Sequence, residues 1–404
     1  MMLRLIRRHP VKLLALAGAT LIGVACSDNT TTENSQPQQA SSSSTTYNAA
    51  WFAATAKPKF TSEGGATPFR TSKTIPYWSS SFTDPTNGVT YPFTMVGTNP
   101  FTTNESRTVP TVVIPFRFVF ADGTVMDGSS DLALLQASPI FQNYTYSLSG
   151  NDNTQYGDAV YRAQWNRVTR SDPYHVLLGQ PTVLPTVTIN VPANQGFVIP
   201  ADPDFDFPFP ATGLMSYAWF SSQLKNAVNT YKVDPTALPM ILVHNTLLYL
   251  GTPASCCVIG YHGAAGSLNG NGTQAVQTYL FSAMISPGTF GDPSVAGQGL
   301  SDIHAFSHEV SEWYDDPFIN NYVQPWEDLD FAPQYGCTSI LETGDPVVGV
   351  WFPLRGNPQP GADRVWHPED EVHFSFFARQ VPSIAYAGRY TYMGTFDHPA
   401  HNCS

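Results

Sequence analysis

SDIHAFSHEVSEWYDDP, residues 301–317, carries two histidines and two glutamates at helical spacing. At about 100° per residue its pattern predicts a helix, with His304, His308 and Glu312 along one stripe and apolar side chains on the opposite side. Ser301 is the expected N-cap, and two aspartates and a proline end the helix. The helix can therefore pack on a sheet through its apolar side and present metal-ligand side chains on the other.

The ionisable residues of this helix form an HExxE pattern made by His308, Glu309 and Glu312. His304 and Glu312 are eight residues apart, about 12 Å along a helix axis, whereas metal–ligand bonds are about 2.0–2.2 Å long. One ion therefore cannot easily bind both. The pair His308 and Glu312 has a glutamate directly after its first ligand, as in HExxH metallopeptidases. We expect these two residues to bind a metal, zinc first, with Glu309 as the general base.

A third ligand must come from outside the helix. The segment LETGDP, residues 341–346, offers Glu342 as the first choice and Asp345 as the second, with a Thr-Gly turn between them. His262, in GYHG, is a further metal ligand or a residue that orients substrate. His304 remains an additional candidate for metal or substrate.

The N-terminus has the features of a targeting segment. Residues 1–26 combine a basic start with an apolar run and end in Gly-Val-Ala-Cys, which resembles a bacterial lipobox with Cys26 as the lipidated residue. A plain secretory signal is the alternative. Residues 27–46 are polar and low in complexity and are expected to form a disordered tether. The protein is therefore expected outside the cytoplasm, secreted or attached to a bacterial membrane by its lipid anchor alone.

Charge limits the classes of partner. Removal of residues 1–26 takes away four basic and no acidic residues, which leaves 15 Lys and Arg against 31 Asp and Glu, a net charge of −16. Nucleic acids and anionic lipids require a basic surface, so neither is expected as a ligand. The balance suits binding of cations or neutral substrates.

The cysteines indicate disulfides. If Cys26 is lipidated, an even number remains, which favours disulfide bonds in an exported protein. Cys256 and Cys257 are expected to bond to Cys337 and Cys403 rather than to each other, in an undetermined pairing. A thiolate metal site is the alternative, although no CxxC spacing occurs.

The order of predicted elements from 214 to 316 favours an α+β fold, and the composition favours loop-rich flanks. Hydrophobic residues make up 42% of the chain, enough for a sizeable core, and the 30 Gly and 34 Pro indicate many turns. Residues 47–404 are expected to form one extracytoplasmic domain, with the helix of residues 301–316 packed on a mixed sheet. The predicted elements are strands at 109–120, 238–250, 278–285, 372–377 and 389–396 and helices at 130–143, 159–168, 214–231 and 301–316.

Three short motifs resemble a known family. SHEVSEWYDDPF, residues 307–318, is similar to the SHExxE segment of a group of secreted bacterial and fungal proteins, with the plant EXORDIUM, or phosphate-induced, proteins as distant relatives. Those proteins also carry a Cys-Gly-x-His loop upstream, matched here by residues 257–262, and a Glu-x-x-Asp downstream, matched by Glu342 and Asp345. The resemblance implies an extracytoplasmic, zincin-like fold. The plant members are described as cell-wall growth proteins.

Two functions follow from these observations. The first is a zinc-dependent hydrolase, foremost a metallopeptidase, which acts on a peptide or a cell-surface polymer. The alternative is a non-catalytic, metal-stabilised protein that binds a cell surface or glycan, in keeping with the 13% aromatic content.

Overall fold

A computed structural model describes most of the chain beyond the tether. The described residues are 46–68, 72–169, 173–268, 274–292, 294, 299–328, 330–356 and 364–403. The predicted targeting segment with Cys26, and the tether up to residue 45, lie outside this set. Within the described part, no helix has both the length and the apolar character needed to cross a membrane.

The centre of the fold is a mixed sheet of eleven strands. In chain order they are β1 (Lys59–Glu63), β2 (Thr111–Val119), β3 (Val125–Asp127), β4 (Thr182–Val183), β5 (Val187–Asn190), β6 (Gly196–Ile199), β7 (Thr212–Ser216), β8 (Leu238–His244), β9 (Thr246–Tyr249), β10 (Cys256–Leu268) and β11 (Gln274–Met284).

The sheet combines parallel and antiparallel pairs in the order β4-β2-β8-β11-β10-β9-β7-β6. Strands β2, β8 and β11 run parallel, whereas β10 is antiparallel to β11 and carries β1 parallel to it. Strands β3 and β5 also pair with β2. The α+β class with a mixed sheet, predicted from the order of elements, is therefore confirmed.

Ten short strands form five two-stranded ladders around this sheet. They are Tyr77–Thr83 with Thr90–Val96, Arg107–Val109 with Val176–Leu178, Tyr144–Tyr146 with Asp152–Thr154, Tyr322–Trp326 with Thr338–Ile340, and Leu354–Arg355 with Val365–Trp366.

The described part of the chain contains seven α-helices. They are α1 (Ala49–Thr55), α2 (Leu132–Ala137), α3 (Tyr156–Gln164), α4 (Asn166–Thr169), α5 (Tyr217–Thr230), α6 (His304–Asp315) and α7 (Phe374–Phe377).

Two apolar cores cover the two faces of the sheet. Side chains alternate along β11, so Leu280 packs in one core with Phe306 of α6, and Phe281 packs in the other with Phe220 of α5. The α6 core continues through Trp313 into α3 and the C-terminal segments. The helix predicted to carry the site is therefore enclosed between the sheet and the C-terminal part of the chain.

Several predicted elements have different bounds or types. The predicted strand 238–250 is interrupted at Asn245, which has a φ of 35° and separates β8 from β9. The first residues of the predicted helix 214–231 belong to β7. Two predicted strands are wrong: residues 372–377 contain the helical turn α7, and 389–396 contains no strand. Short apolar runs suit either conformation, so tertiary packing decides between them.

The N-cap prediction is also wrong. Helix α6 starts at His304 after Asp302, which takes a φ of 45°, and no side chain caps the first turn. Ser301 lies before this bend, and its hydroxyl is 3.0 Å from Nδ1 of His367. The predicted end of the helix at the two aspartates is confirmed.

The four cysteines form disulfides, but not in the expected pairing. Cys337 bonds to Cys403 with a Cα–Cα distance of 5.6 Å, and Cys256 bonds to its neighbour Cys257. The expectation that adjacent cysteines would take separate partners is wrong, because the two distant cysteines pair with each other. No cysteine is left for the alternative thiolate site in the described residues.

Candidate metal centre

Helix α6 carries its two histidines and two glutamates into the interior of the protein. Every residue from His304 to Asp315 is buried, and His304, His308 and Glu309 are 0% exposed. The helix lies across β10 and β11. The predicted stripe of ligand-type residues therefore faces protein rather than solvent.

Two glycines allow the close packing around this stripe. Gly260 of β10 faces α6, and a Cβ atom there would lie 2.7 Å from Oε1 of Glu309. Gly344 lies against the imidazole of His308, where a Cβ atom would overlap the ring. Any larger residue at either position would displace an ionisable side chain of the helix.

The two ring nitrogens of His308 face different carboxyl groups. Nδ1 is 3.0 Å from Oε2 of Glu369, and Nε2 is 3.0 Å from Oε1 of Glu312. The first contact is a hydrogen bond. The second lacks hydrogen-bond geometry, and Nε2 has no hydrogen-bond partner among the described residues. Phe60 of β1 stacks on the ring with centroids 3.3 Å apart and so fixes its plane.

His262 of β10 approaches the same group of carboxyls from the sheet. Its Nε2 is 3.2 Å from the backbone carbonyl oxygen of Asp316, and its Nδ1 is 3.1 Å from Oε2 of Glu309. Nδ1 also lies 3.6 Å from Oε2 of Glu312. The two oxygens of Glu312 therefore face two different histidines.

The two predicted downstream carboxylates both reach this region. Oδ1 of Asp345 is 3.8 Å from Nε2 of His308, and Oε2 of Glu342 is 3.8 Å from Nε2 of His262. The structure thus groups Asp345, the second choice, with the His308–Glu312 pair, and groups Glu342 with His262 and Glu312. All three outside candidates lie close to the helix.

Glu369 was not identified from the sequence. It is fully buried, and Oε2 lies 3.0 Å from His308 and 2.9 Å from Nε2 of His304. Its other oxygen accepts a hydrogen bond from the backbone of Gly349. The only sequence signal is its position in HPEDEVH, residues 367–373, an acidic and histidine-rich run in a chain with 12% charged residues.

His304 has a different environment from the rest of the stripe. It contacts Glu369, and it belongs to none of the three potential metal-binding groups found among the described residues. This position agrees with the helix geometry, which separates His304 from Glu312.

Burial shifts the acid–base properties of the whole group. It raises the pKa values of Glu309, Glu312 and Glu342 well above the ordinary range, and repulsion between the carboxylates raises them further. Burial also lowers the pKa of His262 to about 3, so that ring is neutral near pH 7. The imidazoles therefore present lone pairs instead of positive charge.

No basic side chain balances these carboxylates. In the described part of the chain, the ion pairs made by Lys and Arg all involve other acids. Buried charge without a partner is costly, so the group requires protons or a bound cation.

The side chains form groups that can hold a metal ion. The three groups are His262–Glu312–Glu342, His308–Glu312–Asp345 and His308–Glu369–Glu371, each with potential ligand atoms within 4.8 Å of one another. Nε2 of His308, both oxygens of Glu342 and Oδ1 of Asp345 are buried without a hydrogen-bond partner in the described residues. These orphaned atoms fit a cation, because imidazole nitrogen and carboxylate oxygen are its usual ligands.

Comparison of the chain with protein-family models, with curated proteins and with solved structures finds no match.

Proposed function

We propose that the protein is a metal-dependent hydrolase, with zinc as the first candidate metal and a peptide as the first candidate substrate. The observation that carries the proposal is the set of buried, unpartnered ligand atoms around Glu312 on a helix with an HExxE pattern. The zincin-like architecture implied by the motifs is part of the proposal.

The residues of the centre have separable roles in this proposal. His308 and Glu312 hold the cation, with Asp345 as the ligand from outside the helix. When bound, such a cation polarises a carbonyl and lowers the pKa of a coordinated water. Glu309 is the proton acceptor, because Oε1 is buried without a hydrogen-bond partner, while Oε2 lies 3.1 Å from Nδ1 of His262.

Glu369 supports the centre from outside. Its carboxylate accepts the Nδ1–H of His308, which leaves the lone pair on Nε2, the nitrogen that faces Glu312. Such carboxylate–histidine pairs fix the ring and raise its basicity as a metal ligand. Phe60, stacked on the ring, helps to keep water away from this side.

The location and substrate belong to the same proposal. A lipobox-like segment at Cys26 supports an exported, lipid-anchored or secreted protein, and the net charge of −16 after residue 26 argues against nucleic acid. A peptide or another cell-surface polymer is then the accessible substrate.

Metal content and activity test the proposal together. The purified protein should hold stoichiometric divalent metal, measured by mass spectrometry, and His308→Ala should lose it. Glu309→Gln should keep the metal and lose hydrolysis of internally quenched peptides by about 100-fold or more. A wild-type protein that binds no divalent ion would end the proposal.

One observation favours the alternative of a non-catalytic, metal-stabilised binding protein. The ligand side chains are closed off, with Glu309 and His308 at 0% exposure, as in structural metal sites. A separate cavity of about 710 Å³ is lined by Phe82, Phe93 and Phe101 among other aromatic residues. Its size and apolar walls suit a small ligand or a sugar ring.

Glu309→Gln and Phe101→Ala together distinguish this alternative from the hydrolase. A metal-stabilised binding protein would hydrolyse nothing, so Glu309→Gln would leave its properties unchanged. Its binding of soluble cell-wall glycans would instead fall in Phe101→Ala, since Phe101 is the exposed aromatic wall of the cavity. Metal-dependent hydrolysis that is lost in Glu309→Gln would exclude it.

A further inference from the structure

We propose that the centre holds two divalent cations, with Glu312 as the carboxylate that bridges them. This inference rests on the metal binding in the proposed function and extends it in stoichiometry and ligand assignment. The carrying observation is that two potential metal-binding groups share Glu312 and no other residue.

The His308 side of Glu312 is built as a ligand site. Since the carboxylate of Glu369 can only accept a hydrogen bond, Nδ1 of His308 carries the hydrogen and Nε2 presents a lone pair. That lone pair faces Oε1 of Glu312 at 3.0 Å and Oδ1 of Asp345 at 3.8 Å. Three electron-pair donors face each other here, which is the arrangement that a cation stabilises.

The His262 side brings different residues to the other oxygen of Glu312. A backbone carbonyl can only accept, so Nε2 of His262 donates to Asp316, and Nδ1 is left facing Oε2 of Glu309 at 3.1 Å. Nδ1 lies 3.6 Å from Oε2 of Glu312, the oxygen that His308 does not face. Glu342 completes this group, and both of its oxygens are buried without a hydrogen-bond partner in the described chain.

Charge also favours bound cations. The carboxylates Glu309, Glu312, Glu342 and Asp345 are all buried, and no Lys or Arg ion pair in the described residues involves them. Divalent ions would supply the positive charge that these buried carboxylates otherwise lack.

The third potential metal-binding group does not add a third cation to the centre. It contains His308, Glu369 and Glu371, and Nδ1 is the ring nitrogen that lies 3.0 Å from Oε2 of Glu369. Because Nδ1 donates its hydrogen to Glu369, this group orients the imidazole of His308 and does not bind an ion.

Stoichiometry tests the inference directly. The chelator-stripped full-length protein is titrated with Mn²⁺ by calorimetry, and bound metal is counted by mass spectrometry. We expect two ions per chain in the wild type, one in Glu342→Gln, one in Asp345→Asn and two in the control Asp370→Asn. Asp370 is a buried acid that hydrogen-bonds Thr395 and Met393 and lies outside both groups.

Electron paramagnetic resonance provides a readout that requires no variant. Two Mn²⁺ ions bridged by one carboxylate give an exchange-coupled spectrum, whereas one ion gives an isolated six-line spectrum. One uncoupled ion in the wild type, or two ions retained in Glu342→Gln, would overturn the two-ion centre and leave the proposed function standing. A wild type that binds no Mn²⁺ and no Zn²⁺ would remove the proposed function as well.

Discussion

Oε1 of Glu312 lies 3.0 Å from Nε2 of His308, one helical turn away on α6, yet the two atoms share no hydrogen bond. The imidazole uses its other nitrogen to donate to Glu369. Two electron-pair donors therefore face each other inside the protein, and a cation between them would relieve their repulsion. This relationship is the basis of the first prediction.

Metal removal should destabilise the protein. A chelator leaves the buried carboxylates to be neutralised by protons alone, so the melting temperature of the wild type should fall. The bound ion contributes about 2.7 kcal/mol to the free energy of unfolding when its concentration is 100 times Kd. Differential scanning calorimetry with and without EDTA measures the change. His308→Ala serves as the control and should respond less than the wild type; an equal response in both proteins would contradict the prediction.

Glu369→Gln should weaken metal binding without removing a ligand. The amide can present its NH₂ group to Nδ1 of His308 and so favour the opposite tautomer, in which Nε2 carries the hydrogen. Loss of such an outer partner typically lowers metal affinity about 10–100-fold. Competition with a fluorescent chelator gives the affinity. Asp370→Asn, at the neighbouring buried acid, should bind metal like the wild type, and a comparable loss there would indicate general disruption instead.

Gly260→Ala should disturb the centre from the sheet side. The added Cβ would lie 2.7 Å from Oε1 of Glu309, and overpacking of this kind costs about 1–3 kcal/mol of stability. Gly266→Ala is a matched control on the same strand, because a Cβ there meets no atom within 4 Å. Urea denaturation should separate the two variants. Equal stability would show that the helix can move away from β10 without cost.

Loss of the long-range disulfide should lower stability more than any other cysteine change. The bond between Cys337 and Cys403 closes a loop of 66 residues, and the chain-entropy relation gives about 4 kcal/mol for a loop of this length. Guanidinium denaturation of Cys337→Ala/Cys403→Ala measures the difference. The wild type in reductant should lose a similar amount, whereas the double variant should hardly change on reduction.

The central elements could be predicted from the sequence because their patterns are long and periodic. Helix α6 repeats its apolar residues over three turns, and most side chains of β2 and β11 are apolar. The break at Asn245 could not be predicted, since it depends on the side-chain amide bonding to Ala211 and Thr212. Ala211 and Thr212 are distant from Asn245 in the sequence, so the residues around Asn245 give no local signal of the break.

The residues of the centre that lie on α6 could be predicted from the sequence, but the contacts between the helix and other elements could not. His308, Glu309 and Glu312 follow from spacing on one element, and Glu342 and Asp345 from the need for ligands outside it. Contacts between elements follow no spacing rule. The approach of Glu369 to His308 therefore could not be foreseen, and the choice between Glu342 and Asp345 depended on the conformation of one turn.

The pair formed by His244 and Asp131 should make stability depend on pH. Nδ1 of His244 is 2.7 Å from Oδ2 of Asp131, and this hydrogen bond raises the pKa of the imidazole above 6.5. The negative charge of Asp127 also raises this pKa, whereas partial burial lowers it. A raised folded pKa stabilises the protein below the unfolded value, and the gain is lost as pH rises through the folded pKa. Asp131→Asn should therefore cost more stability near about pH 6 than near about pH 9.

Urea denaturation of wild type and Asp131→Asn at both pH values measures this difference. The same substitution in a His244→Gln background is the control, because without the imidazole its cost should be the same at both pH values. The sign follows from which group shifts: a carboxylate with a lowered pKa would instead give the same cost at both pH values, because both lie above its unfolded pKa. A cost for Asp131→Asn that is equal or greater near about pH 9 would therefore exclude the charged imidazole as its source.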